Sequence, residues 1–280
     1  MNNVAQVDSS TLAKWDLVKS AIAGMRSVVV AFSGGVDSAL VLKAAHDTLG
    51  GRAVAATGLS DSYAPEEMQE AAAVAKHIGA KHVVVKTMEL TDPRYADNTH
   101  QRCYFCKTEL YTQLQSYAAQ HRYDVIVDGT NSDDLGDFRP GIRAARKLGV
   151  RSPLQEANLG KAEIRALSSW LALPTWDKPA AACLSSRFAY GDPITVEKLK
   201  QVSAAESFIR TLGFRGFRVR HHDDVARIEF PPEDLDDAFL QRDSIVAGVK
   251  AAGYHYVMID PDGYRLGRMN EGLNARLKPD

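Results

Sequence analysis

Net charge is nearly absent from this chain. Across 280 positions 34 basic residues stand against 35 acidic ones, so no electrostatic footprint marks a general affinity for nucleic acid or for an anionic membrane. Apolar runs are short. None approaches a membrane span, and the opening Met1-Asn2-Asn3-Val4 lacks the basic and then apolar layout of a secretory signal, so the chain is expected in the cytoplasm. Cysteine is scarce, three in all; an odd number in a reducing compartment argues against a disulfide framework and leaves metal binding or thiol reactivity. Internal repeats and low-complexity tracts are missing too. What remains is an ordinary globular composition, 45% hydrophobic and 25% charged, long enough for two unequal domains.

Strand-like runs at Val28 to Phe32, Ala53 to Gly58, His82 to Thr87 and Asp124 to Asp128 alternate with helix-like segments. That alternation predicts an α/β fold with a doubly wound parallel sheet. Leu12, Trp15, Val18 and Ile22 share one helical face ahead of the first strand, and Pro65-Glu66-Glu67 opens a second helix ending near Ile78. Composition shifts near Lys178-Pro179. Beyond it come a helix at Thr195 to Leu212, strands at Phe217 to His221 and Ala226 to Phe230, a helix at Pro232 to Ala252 and a strand at Tyr256 to Ile259. The expected domains are therefore 1–177, the doubly wound part, and 178–280, a smaller α+β part.

Ser33-Gly34-Gly35-Val36-Asp37-Ser38 follows the first strand and opens a helix. Two glycines let the backbone turn sharply towards an anion, the serines offer hydroxyls, and the amides at the helix start point outward. No Gly-Lys-Ser/Thr follows, so the commoner P-loop is excluded. The bland alternative is a glycine turn in which Asp37 and Ser38 merely cap the helix. Ligands in such sheets bind beyond the carboxyl ends of strands, where Thr57-Gly58 and Gly129-Thr130-Asn131 also fall. Asp128 to Asp134 supplies either Mg2+ ligands or a set of Asx turns. Lys161 starts a helix, a poor place for a cation unless an anion is near; it is either a phosphate contact or a solvated lysine.

Cys103-Tyr104-Phe105-Cys106 is expected in a loop leading into a helix that begins at Thr108, and Cys183 lies far along the chain. Three thiolates could hold an iron-sulfur cluster with one iron open, or, with His100 as fourth ligand, a structural zinc. Plain buried cysteines are the alternative. Arg218 and Arg220 alternate along a strand, so they share a face that Arg227 on the next strand can join. Guanidinium forks grip phosphate or carboxylate bidentately, although a solvated sheet face neutralised by Glu229 would look the same. Arg187, four residues after Cys183, is a similar candidate for a substrate carboxylate or phosphate.

Ser33 to Ser38 resembles the SGGxDS signature of the PP-loop ATP pyrophosphatases, which cleave ATP between its α- and β-phosphates and adenylate an oxygen of their substrate. With Asp128 to Asp134, Asp137 to Gly141, Cys183 to Gly191, and Arg218 to Arg220 through Arg227 to Glu229, the likeness extends over nearly the whole chain to the LarE family. Those are ATP-dependent sulfur transferases of nickel-pincer nucleotide synthesis, the cofactor of lactate racemase. The resemblance implies a small-molecule substrate, pyridinium-3,5-biscarboxylic acid mononucleotide, whose carboxylates are adenylated and converted to thiocarboxylates. It implies that Ser33, Gly34, Gly35, Asp37, Ser38, Thr57, Gly129, Asn131 and Lys161 hold ATP, with Asp37 also on Mg2+. Cys183 becomes the sulfur-bearing residue and Arg187, Arg218, Arg220 and Arg227 the substrate clamp. Members with a single such cysteine sacrifice its sulfur; the added Cys103 and Cys106 imply instead the type with a 4Fe-4S cluster on three cysteines. A homo-oligomer and a sulfur donor to the cluster are expected with it. Two rivals remain: a PP-loop tRNA thiolase, disfavoured by the neutral charge, and a non-catalytic nucleotide-binding protein with structural zinc.

Overall fold

The structure, a computed structural model, describes residues 7–63, 65–136, 140–179, 182–265 and 268. The chain forms two compact units: Met1–Tyr95 with Gln101–Ala181, and Ala96–His100 with Ala182–Asp280. Asp137, Phe138 and Arg139 of the motif that ends at Gly141 lie outside the described residues.

In the first unit the elements run α1 (Ser9–Ala23), β1 (Val28–Ala31), α2 (Val36–Leu49), β2 (Ala53–Leu59), α3 (Pro65–Ile78), β3 (Lys81–Lys86), α4 (Pro93–Ala96), α5 (Arg102–His121), β4 (Val125–Val127), α6 (Pro140–Lys147), α7 (Pro153–Glu156) and α8 (Lys161–Trp170). The strands pair in parallel in the order β3-β2-β1-β4. Period two divides the sheet between two cores. Val28, Val30, Ala53, Ala55 and Val127 pack with α1, α2, α3 and α8, whereas Val29, Val54, Ala56 and Ile126 pack with Tyr111, Leu114 and Ala118 of α5. A strand buried on both faces has no polar side to show, which is why β1 and β2 are almost continuously apolar. The expected doubly wound α/β sheet is present.

One boundary differs in a way that matters. Helix α5 begins at Arg102, so Cys103 and Cys106 lie in its first two turns rather than in a preceding loop. Nothing from Arg102 to Lys107 breaks a helix, and the buried stripe of Tyr111, Leu114 and Ala118 anchors the long helix downstream. Cys103 and Cys106 are three apart and thus share a helix face.

The second unit carries α9 (Val196–Thr211), β5 (Arg218–His222), β6 (Val225–Glu229), α10 (Leu235–Leu240), α11 (Arg242–Ala251) and β7 (Tyr256–Ile259). Thr195 caps α9, its hydroxyl accepting from the Lys198 amide. Strands β5 and β6 are antiparallel, and β7 joins β6 in parallel after the helical crossover. Val219, Ala226 and Ile228 face a core with Ala205, Ile209, Ile245 and Val249. The single helix expected over Pro232 to Ala252 is broken at Gln241, which ends α10 and starts α11. No described helix is long and apolar enough to cross a membrane.

Candidate active site

Strand order reverses between β1, whose successor β2 lies on one side, and β4 on the other. The crevice beyond the carboxyl ends of those two strands is where a doubly wound sheet opens a binding site. Both glycine-bearing loops leave the sheet there. Gly34 has φ +68, and a Cβ on it would lie 2.8 Å from the Ala71 Cα of α3, so both the backbone sign and the close approach require glycine. Gly35 is the N-cap of α2 with no side-chain cap bond. Ser38 is buried; its hydroxyl lies 3.2 Å from Ser33 Oγ and donates to the Gly35 carbonyl at 3.2 Å, tying the two serines of the turn together.

The second loop presses against this turn. A Cβ on Gly129 would sit 2.8 Å from the Ser38 amide nitrogen and 3.0 Å from the Asp37 carbonyl carbon. Asn131 Nδ2 donates to Asp37 Oδ1 at 3.2 Å, and Lys161 Nζ donates to Asp37 Oδ2 at 2.5 Å. The Lys161 amide in turn donates to Asp133 Oδ2 at 2.7 Å. Lys161, partly exposed, is therefore paired rather than free in solvent, and it brings the N-terminus of α8 against the N-terminus of α2. The start of α2 has no side-chain cap and leaves amides for an anion beside the Lys161 ammonium, whereas Asp133 and Glu163 take the amides at the start of α8.

Not every expected contact faces that concavity. Thr57 is buried, and its hydroxyl donates to the Phe32 carbonyl at 2.8 Å and meets His82 Nε2 at 2.8 Å. It links β2 to β1 and β3 beneath the loop. Asp128 accepts from Tyr111 Oη, the Thr130 amide and hydroxyl, and Ser152 Oγ, which fixes the start of the second loop. Burial first, then the Asp128 charge, holds the Tyr111 phenol well above its ordinary pKa, so it stays a donor. Sequence patterns missed two further supports, because they reach the turn from afar: Tyr63 Oη donates to the Ser33 carbonyl across 30 positions, and Lys178 Nζ to the Gly34 carbonyl across 144.

In the second unit Arg218, Arg220 and Arg227 do share the outer face of the sheet, with Arg220 directly opposite Arg227. Each is pinned. Arg220 forks onto Glu229 Oε2 from Nε and NH2 at 2.9 and 2.7 Å, and Arg227 reaches Glu229 Oε1 at 3.1 Å and Asp260 at 3.4 Å. Arg268 approaches the same two carboxylates. Arg218 donates to the Phe217 carbonyl and lies over the Tyr264 ring at 4.6 Å; burial first, then the Arg187 charge, lowers its pKa. Arg220, Arg227 and Arg268 thus meet Glu229 and Asp260, with Arg268 also on Asp262, while Arg218 stands beside them without a contact to either of the first two carboxylates.

Arg187 departs from the expected clamp. Its side chain is only 3% exposed and forks onto Glu206, itself 1% exposed, at 2.7 and 3.0 Å. Its remaining nitrogen donates into the loop that carries Cys183. The reason is topological: the 3-10 turn Leu184–Arg187 points Arg187 inward against α9. None of the three cysteines is in a disulfide; Cys103 and Cys183 are exposed and Cys106 is half-buried. Cys103 and Cys106 belong to the first unit and Cys183 to the second. Among the described residues no three His, Cys, Asp or Glu side chains are gathered as a metal site.

The profile of the NAD synthase family matches residues 12–131, which span the four-stranded sheet, the Ser33 to Ser38 turn and the second loop as far as Asn131. A pyridinium-3,5-bisthiocarboxylic acid mononucleotide synthase of Lactiplantibacillus plantarum is 39% identical over 255 residues, 91% of this chain and 92% of that protein. The chain belongs to the LarE family. A LarE-family protein is an ATP-using enzyme of the PP-loop kind. Two uncharacterized proteins are also similar to this LarE chain. One, from Synechocystis, is 49% identical over 88% of the chain and 92% of its own length. The other, from Methanocaldococcus jannaschii, is 30% identical over 86% and 91%.

Proposed function

We propose that this enzyme adenylates the carboxylates of pyridinium-3,5-biscarboxylic acid mononucleotide and exchanges the activated oxygen for sulfur, giving thiocarboxylates. The observation that carries the reading is the convergence of α2, α8 and the Gly129 loop on Asp37, in a chain 39% identical to a synthase of the bisthiocarboxylic product. ATP lies with its phosphates on the amides of Gly34 to Ser38 and on Lys161. A carboxylate oxygen of the substrate attacks the α-phosphorus, the bond to the bridging oxygen breaks, and pyrophosphate departs. The helix-start amides stabilise the negative charge that develops on it, and Asp37 would hold Mg2+, which would supply further positive charge there when bound. Lys161, already on Asp37, exchanges a carboxylate for a phosphate oxygen as the nucleotide enters. A sulfide delivered at Cys183 then attacks the acyl carbon, the carbon–oxygen bond to AMP breaks and the thiocarboxylate leaves; were the Cys183 thiolate itself the nucleophile, the resulting thioester would free its thiocarboxylate only by loss of the Cα proton and cleavage of the Cβ–Sγ bond, leaving dehydroalanine.

The donor set of Cys103, Cys106 and Cys183, three thiols outside any disulfide, suits a 4Fe-4S cluster with one open iron. When bound, such a cluster would supply sulfide of low proton affinity and spare Cys183 its own sulfur. The face that carries Arg218, Arg220 and Arg227 serves the substrate phosphate, with Arg227, the most exposed of the three, at its rim. Residues 1–177 are assigned to activation and 178–280 to sulfur transfer. The enzyme works in the cytoplasm as a homo-oligomer and receives sulfur from a separate donor.

Incubation with ATP, Mg2+ and the dicarboxylate mononucleotide tests the assignment. AMP and pyrophosphate should form only with that substrate, together with a product heavier by one sulfur-for-oxygen exchange per carboxylate. Release driven by unmodified tRNA instead, or no release, rejects it.

A further inference from the structure

The chain places a guanidinium, fully buried, immediately beneath the segment that bears Cys183. Arg187 Nε and Nη2 donate to Glu206 Oε1 and Oε2 at 2.7 and 3.0 Å, while the two hydrogens of Nη1 serve the Ala182 carbonyl and Ser186 Oγ, each at 2.8 Å, with the Cys183 carbonyl sharing one of them at 3.3 Å. We propose that Arg187, held by Glu206, is a positioning residue that fixes the main chain of Cys183 for sulfur transfer. The claim rests on Cys183 as the point of sulfur delivery.

Three observations carry it. The Ala182 carbonyl belongs to no ladder and takes Arg187 as donor at 2.8 Å, while the Cys183 carbonyl, which already accepts the Ser186 amide of the 3-10 turn at 2.9 Å, lies 3.3 Å from the same guanidinium nitrogen, so turn and side chain together fix the main chain on both sides of Cys183. Glu206 has its own oxygens engaged by Arg187, by Arg210 NH2 at 3.0 Å and by the Val219 amide at 3.1 Å, which ties α9, the start of β5 and the cysteine segment to a single carboxylate. A second buried pair repeats the device: Arg220, forked on Glu229, donates NH1 to the Ser186 carbonyl at 2.7 Å. Beyond these, Phe188 bridges to His221 of β5. Cys183 itself stays exposed, so an accessible sulfur-bearing side chain stands on a main chain that is tied down at several points. A buried ion pair adds little stability over an apolar pair of the same volume. What the guanidinium adds is fixed geometry towards several acceptors at once.

The variant Arg187→Lys separates positioning from mere folding, because its ammonium keeps a charge beside Glu206 but cannot span the carboxylate and the two carbonyls together. Three quantities are read on the full chain: single-turnover pyrophosphate release, thiocarboxylate formation, and amide hydrogen exchange of the 182–188 segment. The expected result is wild-type pyrophosphate release, thiocarboxylate formation slowed at least tenfold, and faster exchange confined to that segment. Ser186→Ala, which removes one acceptor and leaves the ion pair intact, should raise exchange in the same segment to a smaller extent. Wild-type sulfur transfer by Arg187→Lys, unchanged exchange in 182–188, or a uniform rise across the second unit overturns the proposal. Should the wild-type protein release no pyrophosphate, the proposed reaction falls, and the exchange arm alone decides the claim about Arg187.

Discussion

Replacing Gly34 by alanine should damage both stability and nucleotide binding, and the size of each effect follows from the turn itself. The residue sits at φ +68, where a side chain costs about 1–2 kcal/mol. The new methyl would also meet Ala71 Cα at 2.8 Å and Ala71 Cβ at 2.9 Å, closer than carbon atoms tolerate. Backbone and side chain of α3 must give way, and forcing one methyl into a packed site costs about 1–3 kcal/mol more. The sum, about 2–5 kcal/mol, corresponds to an unfolding midpoint lowered by roughly 4 °C or more in a chain of this size. Moving the turn off α3 also re-aims the amides that follow it; each charged hydrogen bond lost to a phosphate removes about 1.5–3 kcal/mol, so ATP affinity should fall about tenfold to a hundredfold. Gly51→Ala is the control, since nothing lies within 4 Å of its added methyl and its effect should stay within about 0.5 kcal/mol. Thermal unfolding and calorimetric titration with ATP measure both quantities. An alanine variant at 34 that unfolds within a degree of the wild type and binds ATP equally would refute the reasoning.

Two further outcomes are expected. Burial alone would raise the Glu206 carboxyl, but the Arg187 charge and hydrogen bonds, the Val219 amide and Arg210 bring its pKa below the ordinary value, so its contribution is complete above about pH 4.3 and is lost as pH falls through the lowered native value. Chemical unfolding at a series of acidic pH values should show this loss, and Glu206→Gln should flatten it while lowering stability at neutral pH by about 3–5 kcal/mol; an unaltered acid slope contradicts the assignment. Cys103→Ser should abolish iron binding in anaerobically prepared protein if three thiolates hold the cluster, and iron retained at full occupancy, with its visible absorption, counts against that ligand set.

The turn at Ser33 to Ser38 was legible because its chemistry is local: a strand, two glycines and a helix start are all adjacent in the chain. The same holds for the doubly wound sheet, whose apolar runs announce strands buried on both faces. The sequence around Cys103 and Cys106 reads as a loop because aromatic and cysteine residues carry little helical signal of their own, and only the packing of Tyr111, Leu114 and Ala118 draws the helix back to Arg102. The gap at Gln241 was invisible for a like reason, since no proline or glycine marks it.

From the residue order alone came the kind of nucleotide loop, the α/β alternation, the three thiols and the row of arginines on one strand face, since each depends on spacing within a few positions. Tertiary structure decided which partners those groups meet: Lys161 on Asp37 across 124 positions, Arg187 on Glu206 instead of open to solvent, and Thr57 turned under the loop. A buried charge takes whichever opposite charge the fold carries to it, and that choice is made by packing between distant segments, which no local pattern encodes.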